Sequence, residues 1–129
     1  MADYVILFVD DEANTLSSIK RLLMNMGEIE VLTAENAASA HALFLQKKID
    51  IVISDENMPE KKGSDFLAEI KEKYPKTLRI LSTGYVDIDF ALSNMRQGTV
   101  YRYFSKPWDN DNLKMVLLNA IQYLKLRDS

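Results

Sequence analysis

Apolar positions along the chain come in two textures that take turns. Short runs are apolar almost throughout, and the longer stretches between them repeat an apolar residue every three or four positions. The run from Tyr4 to Val9 has no polar face, as expected of a strand covered on both sides of a sheet. Leu16, Ile19, Leu22, Leu23 and Met26 then share one helical face, with Gly27 as the expected stop. Residues 30–34 alternate and predict an edge strand, and Asn36 is placed to cap an alanine-rich helix that runs to Leu45. Asp50 leads into a central strand over residues 51–54, and a loop over 57–63 is punctuated by Pro59 and Gly63. Phe66, Leu67, Ile70 and Tyr74 predict a third helix ended by Pro75. A fourth strand reaches Thr83 and is broken by Gly84; Ile88, Ala91, Leu92 and Met95 mark a fourth helix closed by Gly98. Residues 100–105 predict a fifth strand, with Tyr101 and Tyr103 on one face and Phe104 on the other. The last helix has the strongest pattern, Leu113, Val116, Leu117, Ala120, Ile121 and Leu124, with Asp109 as its N-cap.

Strand–helix units joined by short connections require right-handed crossovers and a parallel sheet with helices on both faces. The predicted fold class is α/β: a (βα)5 doubly wound parallel sheet in the flavodoxin-like order 2-1-3-4-5. That order puts its switch point between strands one and three. Their carboxyl ends carry Asp10-Asp11 and Asp55. Three carboxylates at one sheet edge repel one another unless a cation joins them, and a hard ion with oxygen ligands, Mg²⁺, is the natural one. Thr83 and Lys106 follow the fourth and fifth apolar runs, so acids, hydroxyl and lysine at successive strand ends make a phosphate site.

The remaining composition narrows the function classes. The 129 residues make one domain, 1–129, with 47% apolar and 27% charged residues, ordinary for a soluble globular chain. A net charge of −3 gives no basic footprint, so no direct contact with nucleic acid is expected. No apolar run approaches membrane-spanning length and the first residues begin no signal peptide, so no membrane contact and a cytoplasmic location are expected. Cysteine is absent, which excludes disulfides and thiolate zinc sites, and the lone His41 is expected at the surface or in packing. The six methionines are expected to fill the core.

Taken in order, Val9-Asp10-Asp11-Glu12, Asp55-Glu56-Asn57-Met58-Pro59 with Gly63, Thr83-Gly84 and Lys106-Pro107 resemble the receiver (CheY-like) domain of two-component response regulators. The resemblance spans nearly the whole chain. It implies that Asp55 accepts a phosphoryl group, with Mg²⁺, from a phosphohistidine on a sensor histidine kinase or phosphotransfer protein. Asp11 would bind the ion directly and Asp10 largely through water, and the main-chain carbonyl of Asn57 would join Asp55 among the ligands. Lys106 would pair with Asp55 and then with its phosphate, Thr83 would donate a hydrogen bond to it, and Gly84 would leave room for access. Pro59 and Gly63 would shape the loop after Asp55, and Pro107 would fix the backbone after Lys106. In this family an aromatic three residues before the lysine turns inward, which makes Tyr103 the partner of Thr83 in switching. The surface of the fourth helix, fifth strand and fifth helix would carry the output. Glu12 and Glu56 are expected to tune charge, and Trp108 to cover the start of the last helix.

Two other classes fit parts of the pattern. A haloacid dehalogenase-type phosphatase also uses a strand-end Asp, a Thr, a Lys and an acid pair. Its motif needs a second Asp two residues after the nucleophile, where Asn57 stands, and its acid pair comes last rather than first. A receiver-like module that no longer takes phosphate is the third class, and every phosphorylation element being present argues against it. For the output, the stretch 100–109 looks more like receivers joined to HD-GYP phosphodiesterases than like those of winged-helix transcription factors. The long final helix suggests a domain excised from a longer regulator. It would act on an output domain or a downstream protein, or through a phosphorylation-dependent homodimer.

Overall fold

The computed structural model describes residues 3–84, 88–106 and 109–129, and of Ile88 the backbone alone. The expectations for Pro107 and Trp108 lie outside the described residues. Strands and helices alternate as the pattern predicts: β1 (Tyr4–Val9), α1 (Ala13–Leu23), β2 (Ile29–Ala34), α2 (Ala37–Gln46), β3 (Ile51–Asp55), α3 (Gly63–Lys73), β4 (Leu78–Thr83), α4 (Ile88–Arg96), β5 (Arg102–Ser105) and α5 (Asn110–Arg127). The sheet order is β2-β1-β3-β4-β5 and each neighbouring pair is parallel. The register sets Val9 of β1 beside Ser54 of β3, which brings Asp10 and Asp55 to the same edge.

Strand alternation splits the core in two. Ile6, Phe8, Ile51, Ile53, Ile80 and Phe104 face α1 and α5, where Leu16, Ile19, Leu23, Leu113, Leu117 and Leu124 meet them. Leu7, Val9, Val52 and Leu81 face α2 and α3, against Ala40, Phe44, Phe66, Leu67 and Ile70. Burying each large apolar side chain in these layers contributes about 1.5–3 kcal/mol, which is what clamps the strand ends in place. The caps are built as the sequence suggests. Asn36 Oδ1 accepts from Ser39 N at 2.8 Å, and an Asp109 carboxylate oxygen accepts from Asp111 N at 2.8 Å.

Several expectations are corrected. α1 ends at Leu23, before Gly27, which lies in the turn to β2 rather than at the helix stop. β5 begins only at Arg102, so two-residue alternation does not extend to Tyr101. Tyr101 therefore packs on the α1/α5 side, its ring tilted against that of Tyr123 at 4.9 Å, whereas Tyr103 packs on the α2/α3 side. The methionines do not fill the core: Met24, Met95 and Met115 are exposed, and Met26 and Met58 only flank it. On α4, Ala91 is buried while Leu92 and Met95 face outward with Phe90.

Gly63 is the backbone constraint on which the site depends. A Cβ there would stand 2.1 Å from the carbonyl oxygen of Asp55, so α3 can start this close to β3 only at a residue without a side chain. Gly63→Ala should cost about 1–3 kcal/mol in urea-induced unfolding, as overpacking does. Gly27→Ala, whose Cβ would meet nothing within 4 Å, should shift stability by less than about 0.5 kcal/mol. Equal effects at the two positions would refute the close-approach account.

Candidate functional site

The carboxyl edge of the sheet gathers the chemistry. Asp10 follows β1 and its backbone N–H donates to Ala34 O at 3.0 Å, which pins the turn between the strand and α1. Asp10 Oδ1 accepts from Glu12 N at 2.9 Å, leaving Oδ2 for Lys106 Nζ at 3.1 Å. The same Nζ stands 3.3 Å from Asp55 Oδ2. Asp55 is the last residue of β3, and its Oδ1 accepts a long hydrogen bond from Asn57 N at 3.4 Å. Lys106 is held in turn by its own N–H, which donates to Thr83 O at 3.0 Å. Thr83, buried at the end of β4, and Gly84, exposed beside it, lie at this edge too.

Burial sets the electrostatics. Asp10 and Asp55 are only 2% and 6% exposed, while Asp11 stands on the rim. Burial raises the Asp55 carboxyl above its ordinary range, with Asp10 adding to the shift; Lys106 and the Asn57 N–H oppose it. Burial pulls the Lys106 ammonium down, but its contacts with Asp10 and Asp55 outweigh that and raise it overall. Lys106 is thus a fixed cation between two carboxylates.

A carboxylate oxygen from each of Asp10, Asp11 and Asp55 lies within 4.8 Å of the others. Three hard anionic donors converge there with one ammonium, and a divalent cation would relieve the charge that burial makes costly. The donor set therefore fits Mg²⁺, which takes carboxylate oxygens and keeps several waters.

Two contacts were not legible in the sequence. Lys106 reaches Asp10 as well as Asp55. Glu56, expected only to tune charge, accepts from Ser64 N at 2.7 Å and Ser64 Oγ at 3.1 Å, and so closes the start of α3. No local spacing announces that bond, because it forms only when Gly63 lets the loop return.

Residues 6–118 match the family model of the response regulator receiver domain. The chain is a response regulator receiver domain. A receiver domain protein from Clostridium thermocellum is 38% identical with a TM-score of 0.84, covering 95% of this chain and 98% of that one. The signal receiver domain of an HD domain-containing protein from Pseudomonas fluorescens Pf-5 is 32% identical with a TM-score of 0.87, covering 99% and 93%. The hydrogenase transcriptional regulatory protein HoxA of Cupriavidus necator is 32% identical over 91% of this chain but only 24% of its own length. This receiver spans about a quarter of the length of the curated relatives it matches.

Receivers are phosphoacceptor signalling domains that bind Mg²⁺ at such an acidic pocket and pair with histidine kinases and output domains; they are not classical enzymes. The cluster of Asp10, Asp11 and Asp55 fits that function, and the phosphatase reading gains no support. Among the described residues no helix is long and apolar enough to cross a membrane.

Tyr103 already points inward in this receiver. Its hydroxyl is buried with no hydrogen-bond partner among the described residues, although it lies near Asn94 of α4, whose amide is taken by Phe90 O at 2.9 Å. Burial, with the Glu56 carboxylate, raises the Tyr103 phenol above its ordinary range. Tyr103→Phe should leave stability unchanged or raise it by up to about 1 kcal/mol, whereas a hydrogen-bonded tyrosine would lose about 0.5–1.5 kcal/mol. Chemical denaturation of the two proteins decides between these outcomes.

The raised Asp55 carboxyl also has a sign. A folded-state value above the unfolded one means the native state holds the proton more tightly, so stability falls as pH rises through that window. Asp55→Asn removes the ionised form and should raise the melting temperature of the metal-free domain near neutral pH, by roughly 2–5 °C. A drop instead would show that the Lys106 contact outweighs the cost of burial.

Proposed function

We propose that Asp55 accepts the phosphoryl group from a phosphohistidine on a sensor histidine kinase or phosphotransfer protein, and that the new charge is read out on the face formed by α4, β5 and α5. The carrying observation is the placement of Asp55: a buried carboxylate at a strand end, one oxygen facing Lys106 and the carboxylates of Asp10 and Asp11 beside it. Asp11 and the Asn57 carbonyl would hold Mg²⁺ together with Asp55, and Asp10 largely through water. When bound, the ion neutralises charge shared between the attacking carboxylate and the phosphoryl oxygens.

The residues of this chain do the positioning. The Asn57 N–H fixes Asp55 Oδ1, and the β3 backbone fixes the direction of attack. Lys106, anchored through Thr83 O, carries its charge from Asp55 to the phosphoryl group. Thr83 supplies a hydroxyl to that group, and Gly84 keeps the approach open. A charge-assisted hydrogen bond of this kind contributes about 1.5–3 kcal/mol, enough to shift a two-state equilibrium roughly ten- to a hundredfold. Thr83 drawn toward the phosphoryl group and Tyr103 packed inward behind it would then form the coupled pair. Self-catalysed phosphotransfer and slow autodephosphorylation would be the only chemistry.

The output sits outside these residues. Relatives named as transcriptional regulators and one named as an HD domain-containing protein support an output domain in a longer cytoplasmic regulator.

Incubation with acetyl phosphate and Mg²⁺ should add one base-labile phosphoryl mass, lost in Asp55→Asn; a phosphorylated Asp55→Asn protein would point to another acceptor. Beryllofluoride should move backbone amide signals around Tyr103 and in α4 as well as around Asp55. Thr83→Ala should still take the phosphoryl group but blunt those remote shifts. Shifts confined to the neighbourhood of Asp10 and Asp55 would refute the readout.

A further inference from the structure

The loop between β3 and α3 holds a strained turn. Lys61 N donates to Pro59 O at 2.8 Å, closing a three-residue turn around Glu60, which adopts a φ of 71°. A γ-turn with positive φ is the rare and strained form, and at a residue with a side chain it persists only where the surroundings hold it. The loop is closed at its neck, where Gly63 N donates to Glu56 O at 3.0 Å, and Ser54 Oγ lies 3.8 Å from Met58 Sδ on its inner side. Its outer end is held by charge. Lys61 Nζ pairs with Glu69 Oε2 on α3, and the other oxygen of that carboxylate meets His41 Nε2 on α2 at 2.9 Å. His41 is steadied by Phe66, fully buried, whose ring it meets edge-on at 5.2 Å. Each oxygen of Glu69 is thus committed to one partner, and the contacts, Lys61 first, hold this carboxyl below its ordinary range.

We propose that Glu69, oriented by His41, is a positioning residue for the metal site: through Lys61 it keeps the Glu60 turn closed and so sets where the Asn57 carbonyl stands. The inference rests on the proposed reading of Asn57 as a metal ligand. The mechanical link is short. Asn57 and Lys61 lie in one six-residue span, 57–62, between Glu56 and Gly63, which are bonded to each other. A loop closed at the neck can relax only by opening its turn, and opening it moves the carbonyls on the metal-facing side. An isolated exposed ion pair would do little. This one is a carboxylate shared between Lys61 and a histidine that is itself packed on the buried Phe66 ring, and it acts on a turn that stores strain.

The test is a Mg²⁺ titration by isothermal calorimetry, with amide spectra of the metal-free protein alongside. Glu69→Ala should weaken Mg²⁺ binding about tenfold, the low end for groups that orient metal ligands, and shift the amides of residues 57–61 without metal. Adding Glu60→Gly, which suits a positive φ, should restore most of that affinity, because the turn then stays closed unaided. The exchanged pair Lys61→Glu with Glu69→Lys should likewise bind better than either single change. Affinity unchanged in Glu69→Ala, or lost but not recovered with Glu60→Gly, would overturn the inference. Failure of the underlying site reading looks different: the parent protein would bind no Mg²⁺, or would bind it equally well as Asp11→Asn.

Discussion

A carboxylate buried beside another carboxylate is the constraint on which this domain turns. Asp10 and Asp55 end neighbouring strands whose register is set by apolar packing on both faces, so they cannot separate without breaking the sheet. Desolvation, together with the neighbouring Asp10 charge, disfavours the ionised form of Asp55. Lys106, just past the end of β5, answers part of that cost and spans both acids, at 3.1 and 3.3 Å. What remains uncompensated is the driving force for binding a cation and for accepting a group that such a cation stabilises. The rest of the fold supplies rigidity to a site that would otherwise relax its charge away.

Most of the architecture was legible because the apolar layers and the chemistry agree. Runs apolar on both faces, alternating with helical patterns, point to central parallel strands, and the strand order then brings Asp10, Asp11 and Asp55 together. Asn36 and Asp109 cap their helices as their positions suggest. The failures have physical causes. Two-residue alternation puts Tyr101 on the face of Tyr103 only if the strand reaches it; β5 starts at Arg102, and the Tyr101 side chain lies against Tyr123. Methionine carries no periodicity of its own, so its hydrophobicity could not distinguish core from surface. Glu56 bonding to Ser64, and Lys61 to Glu69, depend on a loop folding back on itself, and no local pattern encodes that.

Among the described residues, α4 is anchored just beyond its last turn. Its C-terminal end is gripped by cations: Lys71 of α3 reaches Gln97 O, and Arg79 of β4 donates to Thr99 O at 2.8 Å and to Gly98 O at 2.9 Å. Positive groups there also oppose the partial negative charge of the helix terminus. Gly98, at a φ of 76°, makes the tight exit that exposes those carbonyls. Farther back along the helix, Phe90, Leu92 and Met95 are open to solvent, and Asn94 lies beside the buried hydroxyl of Tyr103. On the proposed reading, an inward Tyr103 whose hydroxyl has no hydrogen-bond partner among the described residues would follow a displacement of Thr83.

The same site explains what the domain would not do. Splitting a phosphate ester requires a proton for the departing alkoxide, and the residue two places after Asp55 is Asn57, whose amide has none to give. Lys106 is committed to Asp10 and Asp55, and burial with those contacts keeps its proton bound. A phosphohistidine makes no such demand, since its imidazole leaves readily. On the proposed reading, selectivity for phosphohistidine over ordinary phosphate esters therefore comes from a missing acid rather than from a shaped substrate pocket.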